Sequence, residues 1–328
     1  GPSRIEKGAD TKGGIGTWES GRVEVLDNGR AIVSVGTHSH GQGHDTTFRQ
    51  VAADALGIPI EHITFQQGDS DRVTSNFGTG AQRSLTSAGL AVHVAGQRIV
   101  AKGKRLAAHL FEASELDVEY EQGAYKVSGT DKFLSFAEIA RMAYRGASYP
   151  EEGFDLGLDE TVRYDPGEDT YPTGIHLAMV VIDAETGLVN LRGYWAITDC
   201  GVRVNPMVVD GQIHGGMVQG IGQGLLEQIY YDEEGQLLSG SLMDYTLPKA
   251  DQLPHFELDY QETPSPTNAL GVKGVGECGV CASPGAVANA VMDALSVFGV
   301  DHLDPPFTPL KIWQAMSAGI TVTSNQGG

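Results

Sequence analysis

A run of glycines around one carboxylate constrains this chain more than any other stretch. The glycines surround Glu277, and they are Gly271, Gly274, Gly276 and Gly279. Glycine tolerates positive φ angles and lets the backbone approach a ligand closely. Ser283-Pro284 follows, a pair typical of a helix start with Ser as N-cap and Pro as the first helical residue. We therefore expect Glu277 on a tight loop before a helix N-terminus, where free N–H groups favour anions.

Composition limits the function classes. With 328 residues and 41% hydrophobic content, the chain can form one large domain or two sub-domains. A net charge of −20 argues against a nucleic-acid partner.

The three cysteines give no disulfide framework, which suits the cytoplasm. Cys278 and Cys281 lack a second pair that would complete a zinc site, so they are expected to be small buried residues. Neither a signal peptide nor an apolar run long enough to span a bilayer is apparent. The opening Gly1-Pro2-Ser3 lacks Met, which favours a fragment.

The first half predicts a hairpin that feeds a helix. Two strands, Val23–Leu26 and Ala31–Val35, flank an Asp-Asn-Gly turn, and a helix is predicted over Thr46–Leu56. The glycine-rich turn between them places Gln42 and His44 at a helix N-terminus suited to phosphate or another polar ligand. A metal held by His38, His40 and His44 is a weaker alternative, because no carboxylate or cysteine completes a known spacing.

A second Gly/Ser/Thr loop runs over residues 76–84 and leads into a helix predicted at Ser87–Glu112. Two loops of the same character suggest two edges of one polar ligand; ordinary strand–helix turns are the alternative. A hairpin at residues 118–127 and a helix at Phe136–Tyr144 follow. Residues 146–173 are rich in Gly, Pro, Asp and Glu, which predicts a surface loop or the boundary between two sub-domains. We therefore divide the chain into sub-domains 1–150 and 151–328.

The second half repeats the plan of paired strands, a glycine-rich turn and a helix. Strands are predicted at His176–Ile182 and Leu188–Ile197, followed by a helical pattern over Pro206–Tyr230 that holds many glycines. Each interior glycine costs about 1 kcal/mol relative to alanine. Gly216, Gly220 and Gly224 share one face, so close helix packing or close ligand approach is expected. The predicted fold class is α+β: two α/β sub-domains, each with a hairpin-rich mixed sheet and packed helices, with a cofactor cleft between Gly-rich loops.

Seven motifs, taken together and in order, resemble the molybdenum-binding subunit of the xanthine dehydrogenase / aldehyde oxidase / carbon monoxide dehydrogenase family, in its C-terminal half. They are Gly41-Gln-Gly-His44, Gly68-Asp-Ser-Asp71, Gly78-Thr-Gly-Ala-Gln-Arg-Ser84, Asp183-Ala-Glu-Thr-Gly187, the stretch from Asp199-Cys-Gly through Asn205-Pro to Gly216, Gly271-Val-Lys-Gly-Val-Gly-Glu277 and Ala286-Val-Ala-Asn-Ala290. Each motif is weak alone, whereas their common order over nearly the whole chain is specific.

The resemblance implies a molybdopterin cofactor, in the cytosine dinucleotide form of bacterial-type proteins. By position, Gln42 would lie beside the metal and the pterin. Glu277 matches the active-site glutamate, whose implied role is general base in a hydroxylation that takes its oxygen from water. The implied cofactor-binding residues are Gly41, Gln42, Gly43, His44, Thr79, Gly80, Ala81, Gln82, Arg83, Ser84, Asp199, Asn205, Gln212, Lys273, Gly274, Val275 and Gly276. No residue of this chain is expected to ligate the metal directly.

The resemblance also implies partners. The family's N-terminal half, which carries the substrate-selecting loop, is absent here, so the chain alone is expected to be inactive. Iron–sulfur and flavin groups are expected only on partner chains or domains, in a dimer of heteromers that acts on a small molecule. Cys278 stands where the family often has Ala, Ser or Gly, which puts a thiol near the metal. A non-catalytic cofactor-binding or assembly module, with a vestigial Glu277, is the alternative function.

Overall fold

The computed structural model describes residues 18–73, 77–145 and 155–325. Its first sheet has strand order β3-β2-β1-β7 and contains β1 (Glu19–Val25), β2 (Ala31–Val35), β3 (Ile63–Gln67) and β7 (Leu158–Tyr164). The β1–β2 hairpin and the β1–β7 pair are antiparallel, whereas β2 and β3 are parallel. The sheet is therefore mixed, as predicted.

Two helices cover one face of this sheet. They are α1 (His44–Leu56) and α2 (Leu90–Phe111), and α2 follows a single π-helical turn at Leu85–Gly89. Gly21 of β1 lets α2 approach closely, because a Cβ added there would lie 2.9 Å from the Ala91 Cβ. Val23, Val33, Phe48 and Ile99 are buried between sheet and helices and form the first core.

A small sheet adjoins this core. It has strand order β4-β5-β6, formed by β4 (Val118–Glu121), β5 (Ala124–Val127) and β6 (Phe133–Ser135), with α3 (Phe136–Ala143) directly after it. Ser135 begins α3 with a reciprocal capping box to Glu138. Tyr125 of β5 is fully buried and joins the first core.

The second core lies between a three-stranded sheet and a helix pair. The sheet has strand order β10-β9-β8, from β8 (Thr173–Ile182), β9 (Val189–Asp199) and β10 (Phe256–Tyr260); β8 and β9 are antiparallel, and β9 and β10 parallel. The helices are α4 (Pro206–Leu225) and α5 (Cys278–Leu295), and α6 (Pro309–Asn325) ends the described chain.

The glycines of α4 serve helix packing. A Cβ added at Gly216 would lie 2.9 Å from the Val280 backbone nitrogen, and one added at Gly220 would lie 1.9 Å from the Ser283 hydroxyl. Of the two explanations that the sequence left open for this face, the contacts of α4 support close packing against α5.

The structure corrects the expected helix start at Ser283. Helix α5 begins six residues earlier, at Cys278 rather than Pro284, and encloses both Ser283 and Pro284. Proline inside a helix gives up one backbone hydrogen bond. Here Pro284 lies at the crossing with α4, since a Cβ at Gly220 would be 2.7 Å from its Cδ. The tertiary contact thus outweighs the local start signal.

Two further expectations differ from the structure. Strand β7 pairs with β1 along its whole length, so residues Leu158–Tyr164, expected in the second sub-domain, belong to the first sheet. In addition, the helical segment Cys278–Phe298 could cross a bilayer by length and composition, whereas no such segment was expected from the sequence. That segment packs along α4 and β8, as core helices of the same composition do.

Candidate functional site

A cleft of about 420 Å³ lies where the glycine-rich loops of both sub-domains meet. Four segments line it: the turn at residues 40–47 before and within α1, the loop at residues 79–85, the first half of α4 with the residues before it, and the Lys273–Glu277 loop. The motifs that the sequence singled out in separate parts of the chain therefore converge on one cavity.

The first wall is the N-terminus of α1. Gly43 begins this helix in a left-handed conformation, φ 78°, and no side chain caps its N–H groups. Uncapped N–H groups at a helix start can bind an anion. Burial lowers the pKa of His44, whose Nδ1 lies 3.3 Å from Gln67 Oε1, so the ring is neutral at pH 7. Gln42 turns back onto its own loop, with Nε2 donating to the His38 carbonyl at 3.3 Å.

The second wall is a strained loop. Ala81 and Gln82 both have positive φ, 46° and 50°, which is uncommon for residues with a side chain. The strain directs Gln82 towards the catalytic candidate, because its Oε1 accepts a hydrogen bond from the Glu277 backbone N–H at 3.2 Å. A Cβ at Gly274 would come within 2.6 Å of the Gln82 carbonyl, so the glycine permits this loop-to-loop contact. Backbone strain of this kind accumulates at functional sites.

Arg83 supports this loop from outside the cleft. Its side chain is only 1% exposed and forms an ion pair with Glu19. It also donates to Ser87 Oγ and to the Gly78 carbonyl, each at 3.1 Å. These contacts keep the Arg83 side chain out of the cleft lining. The other residues predicted in this loop, Thr79, Gly80, Ala81, Gln82 and Ser84, do line the cleft.

Asp199 likewise acts from behind the wall. Its Oδ1 accepts hydrogen bonds from Lys273 Nζ at 3.1 Å, from Gly201 N at 2.9 Å and from Thr263 N at 3.2 Å. Burial raises the pKa of this carboxyl, but a hydrogen bond from the Thr263 side chain, together with those from Gly201, Lys273 and the Thr263 backbone, outweighs it and brings the pKa to about 2. The ionised Asp199 thus fixes Lys273, and with it the start of the loop that carries Glu277.

Glu277 ends the fourth wall and begins α5. It is half-buried, and its backbone is the N-cap position of a helix that has no side-chain cap. Its side chain also lines a second cavity of about 170 Å³, together with Gln82, His176 and Cys281. Glu277 therefore lies at the boundary of the cleft and this second cavity, close to Gln82 of the opposite loop.

The nearby cysteines are free. Burial raises the pKa of the Cys278 thiol to about 12, so it resists ionisation at pH 7. Cys281 is exposed, contrary to the expectation that both would be buried. It lies in the first turn of α5 and lines the cavity of about 170 Å³ beside Glu277.

The histidine metal hypothesis finds no support. Within residues 18–73, 77–145 and 155–325, no three His, Cys, Asp or Glu side chains lie close enough together to hold a metal ion. The His44 ring packs edge-on against Phe48, while those of His38 and His40 contact each other.

Several residues that line the cleft were not predicted from the sequence. Thr47 lies one turn after His44 on the same face of α1, a spacing that could have revealed it. Val208 and Val209 of α4 and Leu85 supply apolar surface, and no sequence pattern marks them as lining residues. Asn205, which was predicted, caps α4 by accepting from Val208 N at 3.0 Å, and Gln212 lines the cleft about two turns further on.

The cleft fits a large phosphate-bearing cofactor. The uncapped α1 N-terminus offers N–H donors, and Gln82, Gln212 and Lys273 offer polar side chains. Gly80 lines the cleft, and a Cβ added there meets nothing within 4 Å. A side chain at this position would therefore fill space that glycine leaves free for a ligand.

Comparisons with known proteins agree with this geometry. Residues 4–254 match the family model of the molybdopterin cofactor-binding domain. The chain is 41% identical to the carbon monoxide dehydrogenase large chain of Hydrogenophaga pseudoflava over 92% of its own length and 38% of the relative's. It is 40% identical to the nicotine 6-hydroxylase large subunit of Paenarthrobacter nicotinovorans, over 94% and 38%.

Solved structures give the same result. The quinoline 2-oxidoreductase from Pseudomonas putida 86 superposes with a TM-score of 0.86 at 38% identity, covering 92% of this chain and 38% of that one. The chain thus spans well under half the length of the relatives it matches. With this match over most of its length, the chain belongs to the molybdopterin cofactor-binding domain family of the molybdenum hydroxylases, carbon monoxide dehydrogenase and quinoline oxidoreductase among them.

Proposed function

We propose that the chain forms one wall of the active site of a molybdenum hydroxylase and that Glu277 is its general base. One observation carries this proposal: the half-buried Glu277 begins α5 at the edge of the cleft, and its backbone is held by Gln82 from the opposite loop. A general base must be held within hydrogen-bond reach of the proton that it takes.

In this proposal, residues of this chain bind and orient the cofactor, and Glu277 holds a proton. When bound, the molybdenum cofactor supplies the two-electron redox chemistry, with water as the oxygen source. The α1 N-terminus and Lys273 would hold its anionic groups, and Gln82 and Gln212 would bind the pterin; a cytosine dinucleotide form is part of the proposal. Glu277 would accept a proton at its carboxylate as oxygen is transferred to substrate. Asp199 and Arg83 keep the two loops in place from behind.

The proposed substrate is a small molecule with an electron-poor carbon: an N-heterocycle, a purine, an aldehyde or carbon monoxide. Relatives named for carbon monoxide and for nicotine are 41% and 40% identical to this chain, and the structure named for quinoline is 38% identical. Because identity is nearly equal across such different substrates, we attribute substrate choice to protein outside this chain.

The proposed partners begin with the remaining part of the large subunit. Four side chains on the outer face of β8 are between 49% and 74% exposed, and they are Ile175, Leu177, Met179 and Val181. An apolar row of this extent marks an interface. We assign it to the N-terminal portion, and we expect iron–sulfur and flavin subunits, a dimer of heteromers and a cytoplasmic location. Native mass spectrometry of the assembled protein tests that composition.

The variant Glu277→Gln tests the base directly. In the assembled enzyme we expect turnover to fall by about 10²–10⁴-fold, the usual contribution of general acid–base catalysis, while molybdenum content stays unchanged. The variant keeps the size of the side chain and removes its basicity. Glu227→Gln, on the loop after α4, is a control with the same change outside the cleft. Near-normal turnover in Glu277→Gln would favour the non-catalytic module instead.

A further inference from the structure

A third cavity, which is polar, lies on the face of the first sheet that α1 and α2 do not cover. It has a volume of about 230 Å³, and strands β1, β2 and β7 form its floor. Arg22 of β1 lies between Ser34 of β2 and Thr161 of β7 in the strand register. Arg163 of β7 and Arg72, from the turn after β3, also line it. The cavity shares no lining residue with the cofactor cleft.

The charges of this cavity are unusual for the chain. The sequence has 42 acidic and 22 basic residues, so an arginine would ordinarily find a carboxylate nearby. Arg22 does so, with Glu24 at 3.0 Å and Asp159 at 3.8 Å. Arg72 and Arg163 line the same cavity, and neither has a carboxylate within 4 Å in the described ranges. Two guanidinium groups are left there without an acidic partner, and Asp71 at the rim supplies one opposing charge.

The floor of the cavity also offers a hydroxyl. Ser34 of β2 is 6% exposed and lines the cavity opposite Arg22 in the strand register. Its hydroxyl can donate to an oxygen atom of a ligand in this cavity.

We propose that this cavity binds a phosphate group. Guanidinium groups donate in a planar fork that matches phosphate and carboxylate oxygens. Donors reach the cavity from the strands of its floor and from the turn after β3, which suits a tetrahedral group with several acceptor oxygens better than a planar carboxylate. The volume is below the range of about 300–1,000 Å³ of sites for drug-sized ligands, so the bound group is small. The phosphate is either free or the terminal group of a small metabolite.

Phosphate titration of the assembled protein, followed by isothermal calorimetry at low salt, tests the site. We expect saturable binding that weakens about tenfold or more in Arg72→Gln and in Arg163→Gln, because a hydrogen bond to a charged group contributes about 1.5–3 kcal/mol. Ser34→Ala should weaken it about fivefold for the loss of one neutral hydrogen bond. Arg98→Gln makes the same charge change outside the cavity and should leave phosphate binding unchanged.

Adenosine monophosphate and succinate separate the ligand sources. Equal affinity for phosphate and adenosine monophosphate supports recognition of the free group, and tighter binding of the nucleotide supports a phosphorylated metabolite. Succinate binding as tight as phosphate would overturn the phosphate assignment. An affinity that is the same in wild type, Arg72→Gln and Arg163→Gln, or no binding at all, would overturn the site itself.

Discussion

At the residue scale, the position of Glu277 depends on Asp199, a side chain that does not line the cleft. Asp199 holds Lys273 through a short ion pair, and both side chains are less than 15% exposed. Buried ion pairs fix geometry even when their net energy is small, and removing one partner leaves an uncompensated charge. The loop that carries Glu277 is thus positioned by Asp199, which lies outside the cleft lining.

Lys273→Met tests that support. At pH 7 we expect the free energy of unfolding to fall by about 1.5–3 kcal/mol, the contribution of a hydrogen bond to a charged group. The folded pKa of Asp199 is about 2, below its ordinary value of 3.8, so its stabilisation is complete above 3.8 and is lost as pH falls through about 2. Denaturant unfolding should give a constant penalty from pH 7 to pH 5 and a shrinking one below pH 4. Lys126→Met, at an exposed strand position, is the control; an equal penalty there would contradict the role of the pair.

At the scale of elements, the cleft depends on how closely α4 and α5 cross. Both helices begin at it, α4 with the cap Asn205 and α5 with Glu277. The glycines of α4 bring the helix axes together, and so they bring the two helix starts to the same cavity. The sequence pattern marked these glycines as exceptional without distinguishing packing from ligand contact.

Gly220→Ala should disturb this crossing. The added Cβ would lie 1.9 Å from Ser283 Oγ and 2.7 Å from Pro284 Cδ, so the helices must separate. We expect a loss of about 1–3 kcal/mol in unfolding free energy, as for other overpacked cores. Gly285→Ala, in an exposed part of α5 where a Cβ meets nothing within 4 Å, should instead be neutral or stabilising by up to about 1 kcal/mol. Thermal unfolding of the two variants compares them, and similar melting temperatures would refute close packing as the role of Gly220.

At the scale of the whole molecule, local patterns predicted most elements and long-range contacts decided the rest. The hairpin at Asp27-Asn28-Gly29 and the helix after Gly43 follow from turn residues and periodicity. The pairing of β7 with β1 joins segments more than 130 residues apart, which no local pattern encodes. The order of the motifs predicted that the loops share one ligand. It did not predict that Arg83 and Asp199 face away, because side-chain direction depends on packing against Glu19 and Lys273.

The central claim is that the glycine-rich loops of this chain bind the molybdenum cofactor, and Gly80→Leu tests it most directly. Gly80 has open space where a side chain would be, and its φ is not in the left-handed region, so the fold should tolerate the change. Gly285→Leu is the matched control outside the cleft, since its Cβ also meets nothing within 4 Å. The measurement is the molybdenum and pterin content of the purified, assembled protein, with thermal unfolding as the check on folding. We predict that Gly80→Leu folds normally but loses most of its molybdenum, while wild type and Gly285→Leu retain it. Full molybdenum content in Gly80→Leu would contradict the proposed cofactor cleft.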